Sequence, residues 1–418
     1  MSKQAYRVST LPLQFRLINR LGRSLHSAGL EMVPLEEEGL LRAARRQTGL
    51  SDFGDDYFRA GLRVLLESAE QDAALNTIGR FGHREAIIQQ LSNRLKLVEM
   101  EKQAPMLFKQ PLQPPLIVIG FPRSGTTLLH RLLAADPAGR AVPLWELSSP
   151  LPEGRGPHLL TAPADRARRL KRMQKQIKIR LSLTSDLDQK HFIRAETPEE
   201  CMFLLGQTFH TMLYWVTAPV YSYIAWYGRQ ERYKKYEDYR RLLQVLQAVD
   251  PTKRLVLKAP AHNGGVAELL QMVPEAMVVQ THRDPVSCMN SLNSLFATTH
   301  RVVTERLDVR RTAEANLELM RVELTRNAAG RKKYPGQLFD VHYDRLVADP
   351  LGTVRGIYDH FMLPWTAEFE AAMSRYLAEN PKGKNGRHRY SSADFGLTDE
   401  GIRERIWAVY NPVELQRG

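Results

Sequence analysis

The sequence predicts an α/β fold, a three-layer arrangement around a central parallel sheet with a helical N-terminal extension. One boundary and one alternation lead to it. Residues 1–110 read as helix throughout, the Pro-rich link Pro105 to Pro115 ends that pattern, and from 111 to 418 short apolar strands alternate with helical stretches. Such alternation implies parallel strands covered by helices on both faces.

Composition sets the class. With 418 residues, 43% apolar and 25% charged, the chain has material for a large core, and disorder is excluded as its main character. No run reaches the roughly 18 apolar residues of a membrane span, and Met1 to Arg7 lack an apolar signal region, so a soluble, cytoplasmic protein is expected. Cys201 and Cys288 stand outside any CxxC or Cys/His spacing; they read as buried small hydrophobes, and neither a disulfide framework nor a metal site is expected. The net charge of +13 favours a polyanionic ligand, an acidic substrate, an anionic membrane or nucleic acid, without choosing among them.

In chain order, Pro34-Leu35-Glu36-Glu37-Glu38 opens a helix with a proline and an acidic first turn, and Gly49 closes it. Two further helices are expected over about Asp56–Glu70 and Thr77–Leu97. The strands are Leu116–Ile119, Ala141–Trp145, Arg254–Leu257, Met277–Thr281 and Leu338–His342, each a short apolar run. Between the second and third, Arg166 to Arg180 holds eight basic residues and no acid, with Leu170, Met173 and Ile177 at helical spacing. This segment reads as an amphipathic helix whose basic face is either solvated or a peripheral contact with an anionic membrane or acidic substrate. No helix-turn-helix, zinc-finger or RNA-recognition signature accompanies it, so nucleic acid is not an expected partner.

The strongest local signal follows the first strand. Leu116-Ile117-Val118-Ile119 runs into Gly120-Phe121-Pro122-Arg123-Ser124-Gly125-Thr126-Thr127 and then a helix. Backbone N–H groups of such a turn, with the unsatisfied donors and positive dipole end of the following helix, form an anion site. Thr126 and Thr127 add hydroxyls and Arg123 a planar cation. Gly120 and Gly125 keep the spacing of the nucleotide-triphosphatase loop GxxxxGK[ST], but Thr126 stands where that loop has its lysine. The cation that reaches β- and γ-phosphates is missing, while a 5′-phosphate cradle remains.

Here the chain resembles a family. The loop Gly120 to Thr127 is similar to the 5′-phosphosulfate loop of sulfotransferases that use 3′-phosphoadenosine 5′-phosphosulfate, and Arg123 gives it the form of the tyrosylprotein and bacterial branches. The resemblance implies sulfuryl transfer to a hydroxyl, with Arg123, Ser124, Gly125, Thr126 and Thr127 on the 5′ side of the donor. The family's 3′-phosphate signature, an Arg, a Pro two residues on and a Ser eight residues after the Arg, is matched by Arg283, Pro285 and Ser291. A fork donor leaving a strand and a hydroxyl on the succeeding helix can converge on one phosphate. Leu255 to Pro260 resembles the strand whose lysine, here Lys258, lies near the bridging oxygen. Val341 to Leu346 resembles the late strand whose tyrosine, here Tyr343, lies near the adenine. Pro381 to Arg389 resembles the glycine-basic loop that closes over the 3′-phosphate, with Lys382, Gly383 and Lys384 in its positions, although the family's Arg-Lys-Gly reads Pro381-Lys382-Gly383. The resemblance spans about 112–395, implies no obligatory metal, and leaves the acceptor as a hydroxylated small molecule, lipid or glycan.

In-line attack by a hydroxyl calls for a base, and for cations where charge grows on the leaving phosphate. Arg123 and Lys258 suit the second need. Glu146, read as ending an apolar strand beside Trp145, is the first candidate for the base, because partial desolvation raises a carboxylate's pKa toward the operating pH. His262 is the second; it follows Lys258 by four residues, where the family's cytosolic branch has a histidine two residues after the lysine. Thr197-Pro198-Glu199-Glu200 reads as a capping box with Glu200 on the helix start. His191 reads as a surface residue or part of an acceptor pocket, and Tyr214-Trp215 with Tyr221 to Tyr227 as an aromatic pocket or core packing. The alternatives are a nucleotide kinase with a degenerate loop and a non-catalytic nucleotide-binding protein at the membrane periphery.

Overall fold

The computed structural model describes residues 11–183, 193–381 and 391–410. Helices α1 (Leu13–Ser27), α2 (Glu37–Thr48), α3 (Tyr57–Gln71) and α4 (Thr77–Gln103) precede the sheet. Gly49 ends α2 at φ +66°, a left-handed conformation that costs glycine nothing. The start of α4 is tied to a distant part of the chain. Asn76 caps it by accepting from the Gly79 amide at 2.8 Å and donates to the Val302 carbonyl at 3.0 Å. The Thr304 hydroxyl donates to the Ala73 carbonyl at 2.7 Å, and a Cβ on Gly79 would stand 2.1 Å from the Val303 carbonyl oxygen. These helices share one buried cluster with the sheet and the later helices: Leu41, Phe58, Leu62 and Leu91 lie in it together with Leu257, Trp215 and Leu317.

Side chains of β1 (Leu116–Gly120) divide the layers. Ile117 and Ile119 enter that first cluster, whereas Leu116 and Val118 enter a second one on the opposite face. Helix α5 (Thr126–Leu133) packs in the second cluster, through Leu129, Leu132 and Leu133. With β2 (Gly139–Ala141), β3 (Arg254–Lys258), β4 (Met277–His282) and β5 (Leu338–His342), β1 forms a five-stranded sheet of order β2-β3-β1-β4-β5, every pair parallel. The loop after β1 thus leaves the middle of the sheet at its carboxyl edge, where open α/β sheets place their ligands.

One strand departs from expectation. Rather than spanning Ala141–Trp145, β2 stops at Ala141, and Leu144–Ser148 forms the short helix α6. Pro143 has no ladder N–H to give, so the chain turns there. Glu146 therefore lies on a buried helical turn and ends no strand.

The basic segment is helical, as α7 (Pro163–Leu183), but part of its charge is turned inward. Arg169 is buried, bonded to Asp165 at 2.7 Å and set over the Trp145 ring; Arg166 faces the same ring; Arg172 pairs with Glu153. Arg168, Lys171, Lys175 and Lys178 remain exposed along one side. Tyr214, Trp215, Tyr221, Tyr223 and Tyr227 are buried in the first cluster, so of the two readings of these aromatics core packing holds. Among the described residues no helix is long and apolar enough to cross a membrane.

Candidate active site

At the end of β1 the chain passes through three left-handed residues, Gly120 (φ +145°), Arg123 (+73°) and Gly125 (+93°). Gly120 admits no side chain, since a Cβ would stand 2.2 Å from Thr281 Oγ1 on β4. Arg123 is not glycine, and its conformation costs on the order of 1–2 kcal/mol, a strain that functional loops hold and ordinary turns avoid. Ser124 is fully buried; its hydroxyl donates to the Phe121 carbonyl at 2.6 Å and accepts from Thr281 at 2.5 Å. The serine thereby fixes the shape of the loop with the very group expected to face a ligand. Amides of the first turn of α5 have no intrahelical acceptor and are the donors such a loop presents.

A second group of residues closes on this loop. Arg283, just past β4, donates from Nη1 to the Arg123 carbonyl at 3.0 Å, and its guanidinium lies 4.0 Å from the centre of the Tyr343 ring. That ring packs on Gly125, where a Cβ would come within 2.8 Å of it. Arg123 donates from Nε to Ser291 Oγ at 3.0 Å. Asp284 caps the helix Pro285–Val303 through the Ser287 amide, which sets where Arg283 leaves the strand and which way Ser291 faces. The geometry thus brings Arg123, Gly125, Arg283, Ser291 and Tyr343 to one place. Thr126 is buried and Thr127 exposed at the head of α5. Lys382, Gly383 and Lys384, like His191, lie outside the described residues.

Lys258 ends β3 level with Val118, and the Ala259 amide that follows donates to the Val118 carbonyl at 3.0 Å. Its ammonium donates to Glu200 Oε1 at 2.9 Å and to Glu199 Oε1 at 3.5 Å. Burial pulls the lysine pKa down, but the two carboxylates outweigh it and hold the value above normal, so the group is a permanent cation. Glu200 does not cap the helical turn Cys201–Thr208 as the Thr-x-x-Glu spacing suggests; its carboxylate is committed to Lys258.

The two expected bases have other surroundings. Both oxygens of Glu146 accept from Arg140 Nη2 at 2.6 Å, Arg166 stands at 3.4 Å, and the side chain is 1% exposed. His262 is sealed among Tyr236, Tyr239 and Cys201, with Nδ1 3.1 Å from the Tyr236 hydroxyl and Nε2 3.3 Å from Cys201 Sγ. Burial, with Lys235 nearby, lowers its pKa to about 3, so the ring stays neutral. Two residues that sequence reasoning passed over support the loop instead. Thr281 holds Ser124, and Asn263 donates from Nδ2 to the Gly120 carbonyl at 2.6 Å. Asn263 is itself held, because Asn327 donates to its carbonyl at 3.1 Å and Glu323 accepts from the next amide, Gly264, at 3.0 Å. Only the Gly-rich turn after Lys258 hinted at close backbone packing there.

Known proteins resemble this chain in sequence and fold. Residues 114–367 match the profile of the sulfotransferase family. The omega-hydroxy-beta-dihydromenaquinone-9 sulfotransferase Stf3 of Mycobacterium bovis is 25% identical over 316 residues, which cover 70% of this chain and 74% of that protein, and its Mycobacterium tuberculosis namesake matches equally. The crystal structure of sulfotransferase STF1 from Mycobacterium tuberculosis aligns with a TM-score of 0.77 at 34% identity, covering 90% of this chain and 99% of that one. For sulfotransferase STF9 from Mycobacterium avium the TM-score is 0.78 at 27% identity, over 90% and 96% of the two chains. The matched stretch holds the loop, Lys258, Arg283, Ser291 and Tyr343 together, and the chain belongs to the sulfotransferase family, as an enzyme of sulfuryl transfer.

Proposed function

We propose that the donor is 3′-phosphoadenosine 5′-phosphosulfate, that the acceptor is a hydroxylated lipid, and that Glu200 is the base. The observation that carries the base assignment is the Lys258–Glu200 pair at the carboxyl edge of the sheet beside the phosphate loop. A base must reach its substrate, and the Glu200 side chain is 18% exposed against 1% for Glu146.

The residues fit the donor. First-turn amides of α5 with Arg123 suit the oxygens of the 5′ side, Arg283 with Ser291 suits a second phosphate, and the Tyr343 face suits a planar base. When bound, the donor supplies the sulfuryl group and a phosphate leaving group. Glu200 takes the proton of the acceptor hydroxyl at its free carboxylate oxygen. As it gains that proton its attraction for Lys258 falls, and the ammonium is released to answer negative charge growing elsewhere in the pocket.

The lipid acceptor is supported by the name of the Stf3 relatives, which specifies an omega-hydroxylated menaquinone derivative. The exposed stripe Arg168, Lys171, Lys175 and Lys178 supports a peripheral contact of α7 with an anionic membrane. Radiolabelled donor offered with hydroxylated isoprenoid quinones, phenols, sugars and peptides tests the acceptor: label should enter solvent-extractable lipid, and label found only in sugars or peptides would overturn the reading. Glutamine at all four cationic positions of the stripe should weaken binding to anionic vesicles by roughly 1 kcal/mol per residue, and unchanged binding returns the stripe to solvent.

A further inference from the structure

Stable attachment to a membrane takes apolar surface as well as charge, and α7 adds to its charge only one strongly exposed apolar side chain, Ile179. Helix α1 presents both. Toward the protein it turns Phe15, half-buried, together with Asn19, which accepts from the Ile78 amide at 3.1 Å, and Gly22, which lies so near Thr77 that a Cβ would stand 1.9 Å from that hydroxyl. On the outer side Leu13, Leu17 and Leu21 recur every fourth residue with Ile18 beside them, and they are 63%, 55%, 57% and 44% exposed. Leu30 and Met32, just past the helix, are exposed as well. Single exposed leucines are ordinary, but a continuous row on one face marks a surface with a partner.

Charge selects the partner. Arg16, Arg20 and Arg23 line one border of the leucine row, and α1 has no acidic residue. Arg23 is held by Glu305 at 2.8 Å, while Arg16 and Arg20 have no carboxylate partner among the described residues. A second copy of α1 laid antiparallel would set one arginine border against the other with no acid between them. An anionic bilayer accepts both features at once, with leucines below the headgroups and arginine stems reaching up to them. We infer that α1 is an interfacial helix that docks the enzyme on an anionic lipid surface; the inference rests on the lipid-acceptor reading for its purpose, and its test needs no turnover.

The full chain is sedimented with vesicles of phosphatidylcholine and with vesicles that also contain phosphatidylglycerol. The wild type should bind the mixed vesicles and lose them with rising salt. Leu17→Gln/Leu21→Gln should weaken that binding on the order of a hundredfold, and Arg16→Gln/Arg20→Gln should reduce its salt dependence. Both variants should keep wild-type affinity for 3′-phosphoadenosine 5′-phosphate, which shows that they are folded. Vesicle binding untouched by the leucine changes overturns the inference. So does a wild-type dimer in light scattering that the leucine changes convert to monomer. Docking that persists while labelled donor never marks a lipid leaves the interfacial helix standing and removes the lipid acceptor.

Discussion

Glu146 and Glu200 are the same side chain in two settings, each beside a cation near the carboxyl edge of one sheet. Glu146 has both oxygens on Arg140 and no route to solvent; Glu200 has one oxygen on Lys258 and is partly open. A carboxylate engaged at both oxygens is a strut, because protonating it would take a charge-assisted partner from both of its bonds at once. A carboxylate engaged at one oxygen can exchange a proton and keep its place. What separates the two glutamates is the number of their oxygens already in use, which distance along the chain from the phosphate loop does not report.

The largest effects should separate the two. Glu200→Gln is expected to lower turnover by about 10²–10⁴ while affinity for 3′-phosphoadenosine 5′-phosphate and the urea midpoint stay near wild type. Turnover that survives the change removes Glu200 from the chemistry. Arg140→Met, which leaves the buried Glu146 with only the longer contact to Arg166, should instead cost about 3–5 kcal/mol in urea unfolding, with normal turnover in the fraction that remains folded. Loss of turnover without loss of stability would make Glu146 the chemical group and erase the contrast.

Arg283 offers a smaller and more selective effect. Arg283→Ala should weaken 3′-phosphoadenosine 5′-phosphate by about 1.5–3 kcal/mol and adenosine 5′-phosphosulfate much less, since only the first carries the phosphate this fork addresses. Calorimetry that finds both ligands equally weakened would move Arg283 to another part of the donor.

Histidines supply the last comparison, because His262 is a second residue near the site that is sealed in. Burial lowers its pKa to about 3 from an ordinary 6.5, so the folded chain binds fewer protons than the unfolded one below neutrality. Its contribution to stability is therefore full above about pH 6.5 and is lost progressively as the pH falls toward 3. His83, His130, His210 and His300, also buried with lowered values, act with the same sign. Urea unfolding at pH 7.5 and 5.5 should show a loss on the order of 1 kcal/mol for each such ring, with one ring's share absent in His262→Gln. A wild type equally stable at both would mean that the rings meet protons in the folded state, and would return His262 to candidacy as the base.

Legibility in the sequence followed the range of the interaction. β1, β3 and β4 were readable because a strand buried on both faces is an apolar run, and the glycines of the loop because their backbone angles exclude other residues. β2 was misjudged because Val142 and Leu144 look like strand while Pro143 breaks the ladder, and α6 is too short to show a period. Glu200 was read as a cap since Thr-x-x-Glu is a local signal; its partner Lys258 is 58 residues away and leaves no local trace. Thr281 and Asn263 were missed for the same reason, as each acts across the sheet on a backbone or hydroxyl group of the loop.

The seam at the start of α4 governs the order in which the chain can be completed during synthesis. Asn76 finds its Val302 carbonyl only after 226 further residues have been made, and Thr304 must arrive before the Ala73 carbonyl is bonded. At about 5–20 residues per second that interval lasts roughly 10–45 s. Until then the early helices can pack on one another, while the part of their shared core that Trp215 and Leu317 complete waits for those residues to be made. The helices before the sheet are thus completed only once the helix Pro285–Val303 has been made, and the face they leave open in the meantime is the one a chaperone would shield.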